Sequence, residues 1–230
     1  MNLLAIAIAP GLAIAFYVYW HDRHEKEPLS LVMRAFFLGV ISTLPAGFTN
    51  SIGVDRVNYF FYPYILNDAI YHFSNVIQAF FIVGSGEELF KFLMLFLFLY
   101  PRKEFNEPYD GILYGAMVAI GFATLENIQY VMMGGMETAI ARMFTAVPMH
   151  ASAGIIMGYF VGMAKFSKKK NRYLFLAWAV PALLHGFYDY FLFVNRFPAM
   201  AIGALASLVL TVKLAFGAIK IHRDQSPFKP

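Results

Sequence analysis

Two adjacent carboxylates, Glu87 and Glu88, stand in Gly86-Glu87-Glu88-Leu89-Phe90-Lys91, directly ahead of the apolar run 92–100. A charge at membrane depth costs about 2.5 kcal/mol or more, so charged groups inside apolar segments point to function. Later apolar stretches carry Glu126, His150, His185 and Asp189. These residue types suit one chemistry. Two imidazoles and a carboxylate hold zinc with an open fourth position. The metal brings the pKa of a bound water toward about 7. A further carboxylate then takes the proton and returns it to a leaving amine. Neutral histidine ligands usually need an outer carboxylate to fix their tautomer, a role Asp189 can fill if it does not bind the metal itself. No His-Glu-x-x-His stretch is present, so the zincin arrangement is absent.

The elements that must position these groups follow from composition. Of 230 residues, 60% are hydrophobic and only 14% charged, and the mean hydropathy is +0.59. Those values lie outside the soluble globular class. They predict one polytopic membrane domain over residues 1–230. The absence of cysteine removes disulfides and thiolate chemistry. Basic residues form short clusters between apolar runs, with no nucleic-acid signature.

Seven spans are expected, at 3–20, 31–48, 70–100, 110–133, 145–165, 173–194 and 199–221. The third is too long for a plain crossing, since 31 helical residues reach roughly 46 Å. Either Gly84-Ser85-Gly86 breaks it or its first turns lie in the interface. The segment 54–68, rich in Tyr and Phe, reads as a loop forming an aromatic interfacial belt. With the N-terminus outside and the C-terminus cytoplasmic, inside segments hold twelve of the eighteen Lys and Arg residues. Outside loops, Arg142 among them, hold three. This bias follows the positive-inside rule.

The same topology sets depth. At about 1.5 Å per residue, Glu87 and Glu88 lie about 18–20 Å above the inner end of their span, Glu126 about 24 Å and His150 about 22 Å. His185 and Asp189 lie about 18 and 24 Å above theirs. Four helices therefore bring acids or imidazoles to one level, in the outer half of a core roughly 30 Å thick. His185 and Asp189 are four apart and share a face, as do Glu87 and Lys91, which suggests that Lys91 neutralises Glu87. Gly154, Gly158 and Gly162 follow His150 at helical spacing and permit close helix approach, as do Gly111 and Gly115.

Bland readings exist for each group. Glu87 and Lys91 can be a structural pair, Glu126-Asn127 a cap, and His150 an interfacial histidine. His21, His24, His72 and His222 lie at ends or in loops and receive no role. Three rival functions stand beside hydrolysis. One is a proton- or ion-coupled transporter using the same acids and histidines, although the repeated halves typical of carriers are missing. Another is a serine-type protease built on Ser85. The third is a membrane scaffold without catalysis.

The motif set resembles the PrsW family of polytopic membrane proteases, distant relatives of the CAAX-processing and abortive-infection proteases. The matching pieces are Glu87-Glu88-x-x-Lys91, Phe122-Ala123-Thr124-Leu125-Glu126-Asn127, His150, and His185-x-x-x-Asp189. The resemblance implies an intramembrane peptidase of the bacterial cytoplasmic membrane, metal-dependent and with zinc the expected ion. It implies cleavage of a single-pass regulatory protein, typically an anti-sigma factor in a stress response, near its extracytoplasmic side. Glu87, Glu88, His150 and His185 carry over as catalytic or ligand residues, with Glu126 and Asp189 after them. In this assignment Glu87 or Glu88 is the base, and His150, His185 and Glu126 or Asp189 hold the metal. The CAAX relatives have His at the position of Glu126 and usually Asn at that of Asp189.

Overall fold

The computed structural model describes residues 3–22, 25–194 and 196–229, and they form an all-helical multi-pass membrane protein. The helices are α1 (Leu3–His21), α2 (Leu29–Phe61), α3 (Asp68–Val76), α4 (Ser85–Met94), α5 (Pro108–Phe144), α6 (Ala146–Phe166), α7 (Lys170–Phe193) and α8 (Met200–Asp224). Two π-helical stretches, Ile77–Gly84 and Leu95–Leu99, join α3 to α4 and extend α4. Among the described residues, four stretches can cross a membrane by length and hydropathy alone: Leu3–His21, Leu29–Tyr64, Pro108–Phe166 and Met200–Asp224. The third of these contains both α5 and α6.

Helix α5 is the centre of the molecule, and residues 109–124 are all buried. Small side chains explain how its neighbours come so close. A Cβ on Gly158 would lie 2.0 Å from the Gly111 carbonyl oxygen, and one on Gly115 would lie 2.4 Å from that of Gly154. Backbone therefore packs on backbone where α5 meets α6, as small residues allow in membranes. At the far end from the acids, Tyr109 donates to Val18 O at 3.0 Å and Tyr114 to the Glu27 carboxylate, tying α5 to α1 and to the start of α2.

Three expectations are corrected. Residues 54–61 are not loop: α2 continues to Phe61, and a 3₁₀ turn, Tyr62–Tyr64, follows. Nothing in 54–61 blocks helix propagation until Pro63 removes a donor. The Gly84-Ser85-Gly86 triplet does not break the third span, because backbone remains helical from Asp68 to Leu99. Gly84 instead admits α7, since a Cβ there would meet Gly186 N at 2.9 Å and Ala182 O at 3.1 Å. The fourth span does not end at 133. Helix α5 runs to Phe144, interrupted at Gly135, whose φ of 70° belongs to the left-handed region that glycine tolerates.

Candidate active site

All six candidate residues meet at one place. Helix α4 supplies Glu87 and Glu88, α5 supplies Glu126, α6 supplies His150, and α7 supplies His185 and Asp189. Ligand atoms of Glu87, His150 and His185 lie within 4.8 Å of one another, and all three residues are buried. The two imidazole rings are perpendicular, with centroids 5.0 Å apart.

At the back of the site stands Lys91, with no exposed surface. Its Nζ donates to Glu88 Oε1 at 2.7 Å and to His150 Nδ1 at 3.0 Å, and sits 4.1 Å from the centre of the Phe122 ring. Glu87 Oε2 is farther away, at 3.7 Å. Lys91 thus pairs first with Glu88 rather than Glu87, which corrects the four-residue reading. Residues three apart also share a helix face, and here the shorter spacing gives the closer pair. Burying such a pair costs desolvation that only good geometry repays.

These contacts fix the ring tautomers. An ammonium group has donors only, so His150 Nδ1 accepts and its proton lies on Nε2. That nitrogen donates to Glu126 Oε2 at 2.9 Å. His185 donates from Nδ1 to Glu88 Oε1 at 2.9 Å, and its Nε2 faces a second carboxylate oxygen, Asp189 Oδ2, at 3.4 Å. On His185, a cation bound at Nε2 would take the place of a proton facing Asp189. On His150, a cation would replace the proton shared with Glu126. Glu87 Oε2, Glu88 Oε2 and Asp189 Oδ2 are buried without hydrogen-bond partners among the described residues. Two imidazoles amid surplus carboxylate oxygens form a donor set that fits a divalent cation.

The site opens on a cavity of 980 Å³. Glu87, Glu126, His150, His185 and Asp189 line it, whereas Glu88 and Lys91 do not. Apolar walls come from Val54, Val83, Leu192 and Leu205.

Two contributors escaped the sequence reading. Asn50, in the second half of α2, donates to Glu87 Oε1 at 3.0 Å. A carboxamide inside an apolar helix was a visible signal, but its partner lies 37 residues away. Arg142 is no loop residue. It donates from Nη2 to Glu126 Oε2 at 2.6 Å and from Nε to Asn127 Oδ1 at 2.9 Å, and it lies over the Tyr130 ring at 4.2 Å. An unbroken helix would carry residue 142 about 24 Å beyond residue 126. The break at Gly135 turns the chain back. Ser85, the serine candidate, donates its hydroxyl proton to Phe80 O at 2.5 Å. His72 lies elsewhere, against Tyr190 Oη at 2.8 Å, and His222 is bound to Pro108 O at 2.9 Å. His24 falls outside the described residues.

Comparison with known proteins places the chain in a family. Residues 27–216 match the family model described as PrsW family intramembrane metalloprotease. Protease PrsW of Geobacillus kaustophilus is 41% identical over 196 residues, covering 85% of this chain and 81% of that protein. Protease PrsW of Bacillus subtilis is 40% identical over 192 residues, covering 83% and 82%. The Clostridioides difficile protein of the same name is 32% identical over 203 residues, covering 85% and 81%. No solved structure matches the chain. With most of its length matched by membrane proteases, and with acids and imidazoles converging between its helices, this chain is a membrane-embedded peptidase belonging to the PrsW family of intramembrane metalloproteases.

Proposed function

We propose that this peptidase hydrolyses a peptide bond in a single-pass membrane protein, with an anti-sigma factor as the substrate class, using zinc held by His150 and His185 with Glu126 or Asp189 beside them. One observation carries the reading. Ring nitrogens of His150 and His185, the proposed ligands, and a carboxylate oxygen of Glu87, the proposed base, come from three separate helices and lie within 4.8 Å of one another at the wall of a 980 Å³ cavity. The relatives are proteases, and the transporter alternative is not favoured.

When bound, such a cation polarises a carbonyl oxygen and acidifies water. The protein does the rest. Glu88, buried and bonded to Lys91, holds His185 with its proton on Nδ1. A carboxylate bonded to the far nitrogen of a ligand histidine sets the orientation of the ring. Glu87 is the member of the acidic pair that reaches the cavity. Asn50 occupies its Oε1, while its Oε2, without a hydrogen-bond partner among the described residues, lies 3.7 Å from Lys91 Nζ. Glu87 takes the proton from the attacking water and later hands it to the departing amine. The charge bias of the loops supports an N-terminus outside, which sets the site toward the extracytoplasmic surface.

The test pairs metal analysis of the purified protein with cleavage of a single-helix reporter. Wild type should carry metal, and His150→Ala and His185→Ala should lose both metal and cleavage. Glu87→Gln should keep the metal and lose cleavage. Wild-type cleavage by Glu87→Gln would reject the assigned base, and full cleavage after chelation would reject the metal.

A further inference from the structure

Hydrolysis of an amide places negative charge on the carbonyl oxygen. Water adds to the carbonyl carbon, the π pair moves onto oxygen, and the tetrahedral species collapses by expelling the amine. A donor preorganised at that oxygen is commonly among the largest contributions to rate. The described residues around the cavity include four carboxylates, namely Glu87, Glu126 and Asp189 at its wall and Glu88 behind them. They include one guanidinium or ammonium group at the wall, that of Arg142. Lys91 cannot serve, because it is wholly buried against Glu88, His150 and Phe122.

Arg142 is held as a preorganised donor should be. Its Nη2 and Nε are committed to Glu126 and Asn127, and its plane rests on Tyr130. Among the described residues Nη1 has no hydrogen-bond partner, and Arg142 lines the cavity. Glu126 Oε2 accepts from both Arg142 Nη2 and His150 Nε2. The guanidinium can therefore lie no farther from His150 than two hydrogen bonds end to end. Only the reversal at Gly135 allows this placement.

Building on the proposed peptidase site, we infer that Arg142 is a catalytic residue, donating from Nη1 to the substrate carbonyl oxygen as that oxygen becomes an oxyanion. Its charge also offsets the surplus of carboxylates at the place where a further negative charge must form. The guanidinium donates hydrogen bonds throughout and undergoes no proton transfer of its own.

The experiment uses the full-length protein in phosphatidylcholine vesicles and a fluorescent single-helix reporter chosen because wild type cleaves it. Arg142→Gln should lower kcat roughly 10²-fold, with KM changed by less than about threefold, the pattern of an interaction made in the transition state. Arg142→Lys should retain more activity than Arg142→Gln. Added methylguanidine should restore part of the activity of Arg142→Ala. Metal content should equal that of wild type in all three variants. A raised KM with unchanged kcat would overturn the inference and make Arg142 a grip for a substrate carboxylate or a lipid phosphate. Loss of metal would reduce it to a brace for Glu126 and His150, and wild-type kinetics in Arg142→Gln would dismiss it. His185→Ala, run on the same reporter, separates these outcomes from failure of the peptidase reading, which falls if that variant cleaves normally.

Discussion

Replacing Gly158 by alanine tests whether the α5–α6 contact sets the geometry of the site. The new Cβ would lie 2.0 Å from Gly111 O, 2.6 Å from Gly111 C and 2.8 Å from Ile112 Cα. Carbon–oxygen contacts between packed helices settle near 3.3 Å, so α5 and α6 must part by about 1 Å. These are backbone atoms in two buried helices, and no flexible side chain can yield in their place. His150 lies on α6 two turns above Gly158, and Glu126, its 2.9 Å partner, lies on α5. The separation therefore falls on the pair at the centre of the site. Misplacing reacting groups by 1 Å can cost about 10²-fold in rate. Overpacking itself costs about 1–3 kcal/mol. Gly158→Ala should thus cleave a single-helix reporter about 10²-fold more slowly than wild type and denature several degrees earlier in detergent. Gly217→Ala is the control, because no atom lies within 4 Å of its added Cβ. Gly217 lies in α8, where alanine should be neutral or stabilising by about 0.5–1 kcal/mol. Wild-type cleavage by Gly158→Ala, or equal damage from Gly217→Ala, would refute the reasoning.

Two further outcomes are expected. Gly135→Ala meets no atom within 4 Å, so its cost of about 1–2 kcal/mol comes from the left-handed backbone alone. It should lower kcat as Arg142 variants do, while Gly135→Asn, better suited to that conformation, should lose less; equal activity of Ala and wild type would separate the turn from the placement of Arg142. Burial pushes the Asp22 carboxyl up to about 7, against the backbone N–H of Glu27, which favours the charged form. A raised carboxyl pKa in the folded state contributes stability at acid pH that is lost as pH climbs through the folded value. The denaturation temperature should therefore fall as pH rises from about 4 to about 7 and level off above that, and Asp22→Asn should flatten that profile. A profile unchanged by the substitution would assign the pH effect to other groups.

The sequence alone carried the class and the cast of this protein. Long apolar stretches interrupted by few charges can be satisfied only in a bilayer, since each buried backbone group there must be bonded within its own helix. Charge in hydrocarbon is costly enough that Glu87, Glu88, Glu126, His150, His185 and Asp189 marked themselves by type and depth. Helical spacing likewise announced the glycines between α5 and α6. Tertiary structure decided which partner each of these groups meets. Lys91 lies within reach of both acids on its own helix, and the positions of His150 and Phe122 decide that it binds Glu88 more closely. Asn50 and Glu87 come from helices with no fixed relation in sequence. Arg142 sits beside Glu126 only because one glycine adopts a positive φ and sends the chain back along itself. Helical periodicity reports what shares a face within one segment. The direction a chain takes after a break, and the neighbours it then finds, depend on packing between segments distant in sequence.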